Sequence, residues 1–371
     1  MKKIFLMLML LAVAHIDASA CTSAMVTAAR SSEGAPLLWK HRDWRENASC
    51  VKHFEGGKYA YTAVVSSSAK SKSIYAGINE AGFGIINTAT KNLPHSAKKE
   101  WEACSRKVAT LHGMWHYGLR NFATVDEFEA YLRTTKRRHK FNTNLGVADA
   151  SGAVAYFEIW DLGYRRYDVN DRESGFDVRA NFSFAGDEAK RGLSTRRYDI
   201  TMEKMNAHQG LFAPKHFCDY SRSFDSCAYG DILKSDKEYI CNNHCVPRYT
   251  TTGVFVLVCD AKCPRMLVAI GHSVPGVTVP IYVQAKHQIP ECVHGDAMRQ
   301  LSDDFREKAY TTVAEGKHRL EKEVVSKVLR IKQPKFEMSA TMPTDIEAFN
   351  RKVDAQFAKY EQRVRKVLAK F

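Results

Sequence analysis

The stretch ASACTSAMVTAA, residues 18–29, decides how the rest of the chain is interpreted. Its small residues at Ala18 and Ala20 form an A-x-A cleavage site directly before Cys21. A cut there would make a thiol the first side chain of the mature protein, with a free α-amine beside it. Such an amine has a pKa of about 7.7–8.0, so it can accept the thiol proton near neutral pH. Residues 23–29 suit a short strand, which would hold this cysteine on a rigid element.

The residues before Cys21 have the composition of a secretory leader. A cationic start precedes an apolar run over residues 4–14, which is too short to cross a bilayer because crossing takes roughly 20 helical residues. We therefore predict a signal peptide over residues 1–20 and a secreted or periplasmic mature protein. Two alternatives stay open here: a lipid anchor on Cys21, as in an outer-surface lipoprotein, or a disulfide. Ala18 weakens the lipid alternative, since lipoprotein signals usually carry leucine at that position.

Length and charge set the broad class. The chain has 371 residues and a formal net charge of +14, enough for one large domain with an appendage. Much of the basic charge lies in roughly the last 60 residues, which predicts a solvated basic face or, less simply, attraction to an acidic partner. No nucleic-acid module is recognisable, so we predict no nucleic-acid partner, no transmembrane segment and no cofactor. The sequence leaves open whether the chain forms a homo-oligomer.

Ten cysteines in an exported chain predict disulfides, above all in the segment from residue 218 to residue 263. If Cys21 is kept free, nine cysteines remain, and an odd number cannot all pair. The alternative is a structural zinc site, although such sites more often use C-x2-C pairs than the C-x3-C spacing found here. Its ligands would be Cys241, Cys245, Cys259 and Cys263.

Hydrophobic periodicity predicts strands, then two helices, then more strands, which is the order expected of an α+β fold with four layers, αββα. After about residue 296 the chain becomes heavily charged and helical. We therefore predict a main domain over residues 21–296 and a helical hairpin extension over residues 297–371. The predicted strands cover residues 23–29, 37–44, 59–66, 73–78, 84–88, 144–149, 153–160, 176–184, 250–258, 265–271 and 277–283, and the predicted helices cover 99–120, 124–132, 301–331 and 344–371.

Five segments together carry a resemblance to a known family. In this order they resemble the cysteine N-terminal-nucleophile hydrolases, which include choloylglycine hydrolase, penicillin V acylase and the acyl-CoA:6-aminopenicillanic-acid acyltransferase type of peptidase. The resemblance covers roughly residues 21–283. The segments are CTS at 21–23 with LLWKHRDW at 37–44, INEAGF at 78–83, the strand-turn-strand at 144–158, VRANF at 178–182 and STRRY at 194–198.

The resemblance implies a four-layer αββα sandwich of the N-terminal-nucleophile type with a C-terminal helical extension. It also implies a hydrolase, or an acyltransferase, that acts on a linear, non-peptide amide C–N bond of a small-molecule N-acyl amide. A dipeptidase of the same nucleophile class is one alternative. A lipid-anchored binding protein without turnover is the other.

The resemblance implies five catalytic residues, which are Cys21, Asp43, Asn181, Asn87 and, as the supporting cation, Arg197. Cys21 would attack the amide carbonyl, and its own α-amine would take the thiol proton and later protonate the leaving amine. Asp43 would accept hydrogen bonds from that amine or thiol and orient them. Asn181 is the best match for a side-chain donor to the oxyanion, and Asn87 is a second candidate whose alternative role is that of a structural turn amide.

The cation that supports the thiolate is less defined by the resemblance. The family commonly has arginine three residues before the aspartate, where this chain has Lys40. We place Lys40 and Arg42 among the substrate-binding residues, and Arg197 is the third candidate for the supporting cation. A Cys–His pair is a weaker alternative, because no cysteine-protease signature surrounds any cysteine. Its histidines would be His41, His95, His112 or His116.

The cleavage site predicts that the isolated protein begins at Cys21 with an unmodified amine. Intact-mass spectrometry of the purified protein measures this directly. A retained leader would remove the amine from the mechanism, and an added diacylglyceryl mass would establish the lipid anchor instead.

Overall fold

The computed structural model describes residues 20–46, 48–95, 108–134, 138–139, 141–241 and 243–371. Most of the predicted leader and part of the first predicted helix lie outside these residues. Within them, no helix is both long enough and apolar enough to cross a membrane.

The strands of the described residues are numbered in chain order. They are β1 (Thr22–Val26), β2 (Leu37–Asp43), β3 (Ser49–Phe54), β4 (Tyr61–Ser66), β5 (Ile74–Asn79), β6 (Gly84–Ala89), β7 (Val108–Ala109), β8 (Arg138–His139), β9 (Thr143–Ala148), β10 (Val154–Ile159), β11 (Tyr164–Asp168), β12 (Phe176–Arg179), β13 (Asp225–Ser226), β14 (Gly230–Asp231), β15 (Thr251–Val258), β16 (Arg265–Ile270), β17 (Val279–Tyr282), β18 (Tyr310–Ala314) and β19 (Lys317–Leu320).

The α-helices are numbered in the same way. They are α1 (Leu111–Asn121), α2 (Val125–Thr134), α3 (Thr195–Ala207), α4 (Pro214–Tyr220), α5 (Glu291–His294), α6 (Ala297–Ala309), α7 (Lys322–Leu329) and α8 (Ile346–Leu368).

Two large antiparallel sheets lie face to face between helices. The first has six strands in the order β12-β1-β2-β15-β16-β17, and the second has seven in the order β11-β10-β9-β6-β5-β4-β3. The apolar side chains of α1 and α2 form one core with the outer face of the seven-stranded sheet. On the other side α3, α4 and α6 pack on the six-stranded sheet, and α7 and α8 pack against α6. The predicted four-layer αββα fold is confirmed.

Local sequence explains several of the element boundaries. Thr124 and Glu127 form a capping box at the start of α2. The Glu127 backbone N–H donates to Thr124 Oγ1 at 3.1 Å, and the Thr124 N–H donates to Glu127 Oε2 at 3.2 Å. The predicted hairpin turn between β9 and β10 also forms, with Gly152 at a φ of 101°, a left-handed conformation that favours glycine. Turn chemistry was therefore readable from the sequence at both sites.

The C-terminal region differs from the helical hairpin that the sequence predicted. A β-hairpin, β18–β19, interrupts the helix expected over residues 301–331. The segment Thr311-Thr312-Val313 is β-branched, and Gly316 turns the chain with a φ of 66°, so helix formation stops there. The apolar faces of α6, α7 and α8 also share one core with both sheets, so the extension is not a separate globule.

The nine cysteines within the described residues are all free thiols, so the disulfides predicted for the cysteine-rich segment are not found there. Cys104 lies outside the described residues. Cys245 donates its thiol proton to the Pro247 carbonyl at 3.1 Å, and Cys259 packs tightly against Gly84, where a Cβ would lie 2.8 Å from its sulfur. Across the described ranges, no three metal-ligating side chains converge on one point, so the four cysteines of the zinc alternative are not assembled.

Truncation of Phe357 on α8 tests whether the C-terminal helices belong to the main core. Phe357 is 2% exposed within the cluster that includes both sheets. We expect Phe357→Ala to lower the free energy of unfolding by about 3–5 kcal/mol, because a large buried side chain is lost. The exposed Lys359→Ala on the same helix should change it by about 0.5 kcal/mol or less. Urea unfolding should remain a single transition, whereas a separate early transition for the variant would show an independent extension.

Candidate active site

The site is built where β1 and β2 lie side by side at the centre of the six-stranded sheet. Alternate side chains of β1 point toward the second sheet: Ser23 Oγ lies 2.9 Å from Tyr156 Oη on β10, and Met25 packs against Gly146 on β9. Cys21 has the same parity, so its thiol faces the space between the sheets. The side chain is 6% exposed.

Two cations on β2 face the same space. Thr22 of β1 pairs with His41 of β2, so the same antiparallel register places Cys21 opposite Arg42. The Ala20 N–H donates to the Asp43 carbonyl at 3.4 Å. Arg42 and Lys40 are two residues apart, so they share one face of the strand. Both cations interact electrostatically with Cys21.

Lys40 is buried and held by the second sheet. Its Nζ donates to Asn87 Oδ1 at 2.7 Å and to the Tyr75 carbonyl at 2.8 Å, and the side chain is only 2% exposed. An ammonium group has three donors, so one remains for a group beside it. Burial lowers the pKa of Lys40 to about 8, while the Cys21 thiol opposes that shift and Arg42 adds to it.

Arg42 is held by stacking and by one hydroxyl. Its guanidinium carbon lies 3.7 Å from the centroid of the Tyr75 ring, and Nη1 donates to Thr252 Oγ1. Burial lowers the pKa of Arg42 as well, against the attraction of Tyr75, Cys21 and Asp43. Cys21 therefore lies beside two buried cations, and both interact with it electrostatically.

Asp43 lies on the opposite face of β2. Its Oδ1 accepts from Thr251 Oγ1 at 2.9 Å and lies 3.3 Å from His41 Nε2, and the residue is fully buried. Its Oδ2 is 3.8 Å from Arg248 Nε and has no hydrogen-bond partner among the residues described. A buried carboxylate oxygen without a donor is costly. Asp43 is the residue that lies opposite Ala20 in the strand register. Its free oxygen therefore belongs to a residue next to the bond that leader removal would cut.

Asn181 and Arg197 join the start of β1 to the loop that follows β12. Arg197 Nη1 donates to the Cys21 carbonyl and to Thr22 Oγ1, both at 2.7 Å, and its Nη2 donates to Asn181 Oδ1 at 2.7 Å. The Asn181 Nδ2 group donates to the Ala89 carbonyl at 2.7 Å. An amide nitrogen carries two protons, so a second donor remains. Arg197 contacts the backbone of Cys21, whereas the cations that interact with Cys21 electrostatically are Lys40 and Arg42.

The second oxyanion candidate, Asn87, lies on β6 in the opposite sheet. Its Oδ1 accepts from Lys40, and its Nδ2 donates to Thr143 Oγ1 at 3.0 Å. Asn87 thus contacts the site through Lys40. The assignment of all these residues to catalytic and binding roles stays a prediction, but the structure brings them into one network around the start of β1.

The sequence did not indicate the residues that hold the Asn181 loop. Asn144 Nδ2 donates to the carbonyls on either side of Asn181, at 3.1 Å from Ala180 O and 2.8 Å from Phe182 O. Glu158 accepts from Arg179 Nε at 3.1 Å and from two backbone N–H groups further along the loop. Both side chains are fully buried polar groups inside strands. Such residues in an otherwise apolar strand are the signal that could have identified them.

The four histidines of the Cys–His alternative have other neighbours. His41 is bonded to Thr251, His112 accepts from the Ile74 N–H, His116 lies 2.6 Å from Tyr61 Oη, and His95 lies beside Asn142. Burial lowers the pKa of His112 and of His116. The contacts within the described ranges do not place any of these rings against Cys21.

An open cleft of about 690 Å³ lies on the Asp43 side of the sheet. Its wall includes Arg306 of α6, whose guanidinium donates to the Thr251 carbonyl. Thr251 in turn donates to Asp43, so the cleft is two contacts from the carboxylate. Its other lining residues are Arg45, Glu46, Ala48, Tyr249, Arg299, Asp303, Glu307, Tyr310 and Thr312.

Three solved structures are similar to this chain, and each is aligned over most of its own length. The penicillin V acylase from Agrobacterium tumefaciens is 16% identical, with 71% of this chain and 86% of that chain covered and a TM-score of 0.47. A variant of the conjugated bile acid hydrolase from Clostridium perfringens is 9% identical, with coverage of 72% and 93% and a TM-score of 0.44. The Caenorhabditis elegans ortholog of N-acylethanolamine-hydrolyzing acid amidase is 16% identical, with coverage of 64% and 93% and a TM-score of 0.43. No family model and no curated protein matches the sequence.

Replacement of Lys40 should change the reactivity of Cys21. Because the pKa of Lys40 is about 8, its charge is present below pH 8 and is lost as the pH rises through that value. We expect Lys40→Met to slow alkylation of Cys21 about ten-fold at neutral pH, because a neighbouring cation stabilises the reactive form of a thiol. Lys40→Arg should keep the cation above pH 8. The measurement is the rate of iodoacetamide labelling of Cys21 against pH, read by peptide mapping; identical profiles in all three proteins would contradict the assignment.

Proposed function

We propose that this chain is an exported hydrolase that cleaves the linear amide C–N bond of a small-molecule N-acyl amide through a thioester on Cys21. One observation carries the proposal. Cys21 follows a signal-peptide cleavage site in the sequence and begins a buried central strand, where Lys40 and Arg42 interact with it. A disulfide or a lipid anchor at Cys21 requires neither of these cations.

Leader removal supplies the general base. The backbone nitrogen of Cys21 becomes a primary amine, which takes the thiol proton when neutral. Asp43 supports this role because its Oδ2 is buried without a donor. In the register of β1 with β2, Asp43 is adjacent to Arg42, the residue opposite Cys21. A new ammonium group there would donate to Asp43 and remove the cost of the unpaired oxygen. Asp43 in this role orients the amine rather than the thiol, whose neighbours lie on the other face of β2.

The chemical steps then follow from the residues around Cys21. The thiolate adds to the amide carbonyl, and the negative charge moves to the carbonyl oxygen. The second proton of the Asn181 amide is the donor proposed for this oxyanion, supported by the contacts of Asn181 with Arg197 and Ala89 that fix its plane. Collapse breaks the C–N bond as the Cys21 ammonium protonates the leaving amine, and water then hydrolyses the thioester. Replacement of that water by an acceptor amine would give acyl transfer instead.

Two replacements of Asn181 separate an oxyanion role from a structural role. Asn181→Asp keeps an acceptor for Arg197 but removes the amide donor, so we expect kcat to fall about 100-fold or more, with a modest loss of stability because the Ala89 carbonyl loses its donor. Asn181→Ala should give a similar kcat and also lose about 1–2 kcal/mol of stability, because Arg197 loses a partner. Asn121→Ala, on α1, is the matched control.

The assay measures p-nitroaniline release from a panel of aliphatic and aromatic acyl p-nitroanilides, with Cys21→Ala as the blank. Cys21→Ser should retain only a trace of activity, because an alkoxide is far harder to generate than a thiolate. Undiminished turnover in Cys21→Ala would refute the nucleophile. Normal kcat with a large loss of stability in both Asn181 variants would make Asn181 a structural amide.

A further inference from the structure

The last helix and the residues that follow it carry five of their seven positive charges on one narrow face. Each residue of a helix advances about 100° around the axis. Residues 352, 359, 363, 366 and 370 therefore fall within an arc of about 60°, since Ala369 keeps an αR conformation and continues the helical path. All five are cationic and exposed. We refer to Lys352, Lys359, Arg363, Lys366 and Lys370 as the basic stripe.

The acidic residues of α8 lie outside this arc and are already engaged. Asp354 accepts from the backbone N–H groups of Glu291 and Cys292, at 3.0 and 2.9 Å. Glu347 pairs with Arg351 at 3.6 Å, and Glu361 pairs with Arg365 at 2.8 Å. No carboxylate of this helix therefore neutralises the basic stripe.

The buried face of α8 fixes the direction in which the stripe points. Val353, Phe357, Tyr360, Val364 and Leu368 are buried in the main core, so rotation of the helix would expose them. The stripe is thus a rigid row of outward charge rather than part of a mobile tail. It is about 27 Å long, because 18 residues separate its ends and each rises 1.5 Å.

Two neighbouring residues extend this surface. Arg363 Nη2 donates to the Lys332 carbonyl at 3.0 Å, which brings another exposed lysine to the middle of the stripe. Phe371, at the end of the stripe, is 42% exposed, and Lys327 Nζ lies 4.9 Å from its ring centroid. A cluster of about four to eight Lys or Arg residues on an amphipathic helix is typical of surfaces that attract anionic lipids.

We propose that the basic stripe binds the surface of an anionic phospholipid membrane, with α8 parallel to the membrane plane and Phe371 inserted among the headgroups. Four of the five stripe residues are lysines, which act as hydrated point charges and suit a diffuse anionic plane more than bidentate recognition of single phosphates. A straight row on one helix contacts a plane along its whole length. The proposal does not depend on the proposed hydrolase activity.

The test is co-sedimentation of the full mature chain with vesicles of phosphatidylcholine alone or mixed with phosphatidylglycerol, at low and high salt. The stripe variant is K359Q/K366Q/K370Q. The matched control, K58Q/K70Q/K72Q, removes the same charge from exposed lysines in the β3–β4 and β4–β5 turns. Circular dichroism and melting temperature confirm that both variants are folded.

We expect the wild-type chain to bind only the phosphatidylglycerol vesicles and to be released by high salt. Each lysine near an anionic surface contributes roughly a five-fold factor to partitioning, so the stripe variant should bind at least ten-fold more weakly while the control stays close to wild type. Equal losses in both variants would assign binding to net charge and overturn the proposal. A wild-type chain that does not bind phosphatidylglycerol vesicles would also overturn the proposal. The same holds if the basic stripe is required to bind duplex DNA and not to bind vesicles.

Discussion

The site depends on the burial of two cations beside one thiol. Lys40 and Arg42 are almost inaccessible, and each buried ion costs several kcal/mol unless partners compensate for the lost hydration. The second sheet supplies most of those partners through Asn87 and Tyr75. The two sheets must therefore close on each other before the cations are tolerated. Cys21 also compensates the two cations, because both interact with it electrostatically.

The remaining parts of the site are arranged by the ends of strands. Arg197 holds the Cys21 backbone and the Asn181 side chain together, so the segment that leads into β1 is fixed to the loop after β12. Asn144 and Glu158, from β9 and β10, fix that loop from the other side. Strand ends held in this way place side chains accurately. The strands themselves stay rigid because both of their faces are covered.

Much of this arrangement was predictable because it rests on local signals. The alternating strands, the capping box at Thr124 and the turn at Gly152 all depend on neighbouring residues, and the order of the elements follows from them. The sequence could not place Arg42 on the thiol face, because that depends on the strand pairing that sets Cys21 opposite it. It also missed the hairpin that interrupts the C-terminal helices, where charged residues concealed a β-branched segment. Asn144 was missed because its partners are distant in sequence.

In the proposed mechanism the sulfur of Cys21 carries the acyl group, and one experiment detects the acyl group there. The mature protein is mixed with a p-nitrophenyl acyl ester and quenched in acid, which keeps the α-amine protonated and prevents the acyl group from moving from sulfur to nitrogen. Peptide mapping should find the N-terminal peptide heavier by one acyl group, and hydroxylamine should remove it. An acyl group on any other residue, or steady product release with no acylated Cys21 peptide, would contradict the account.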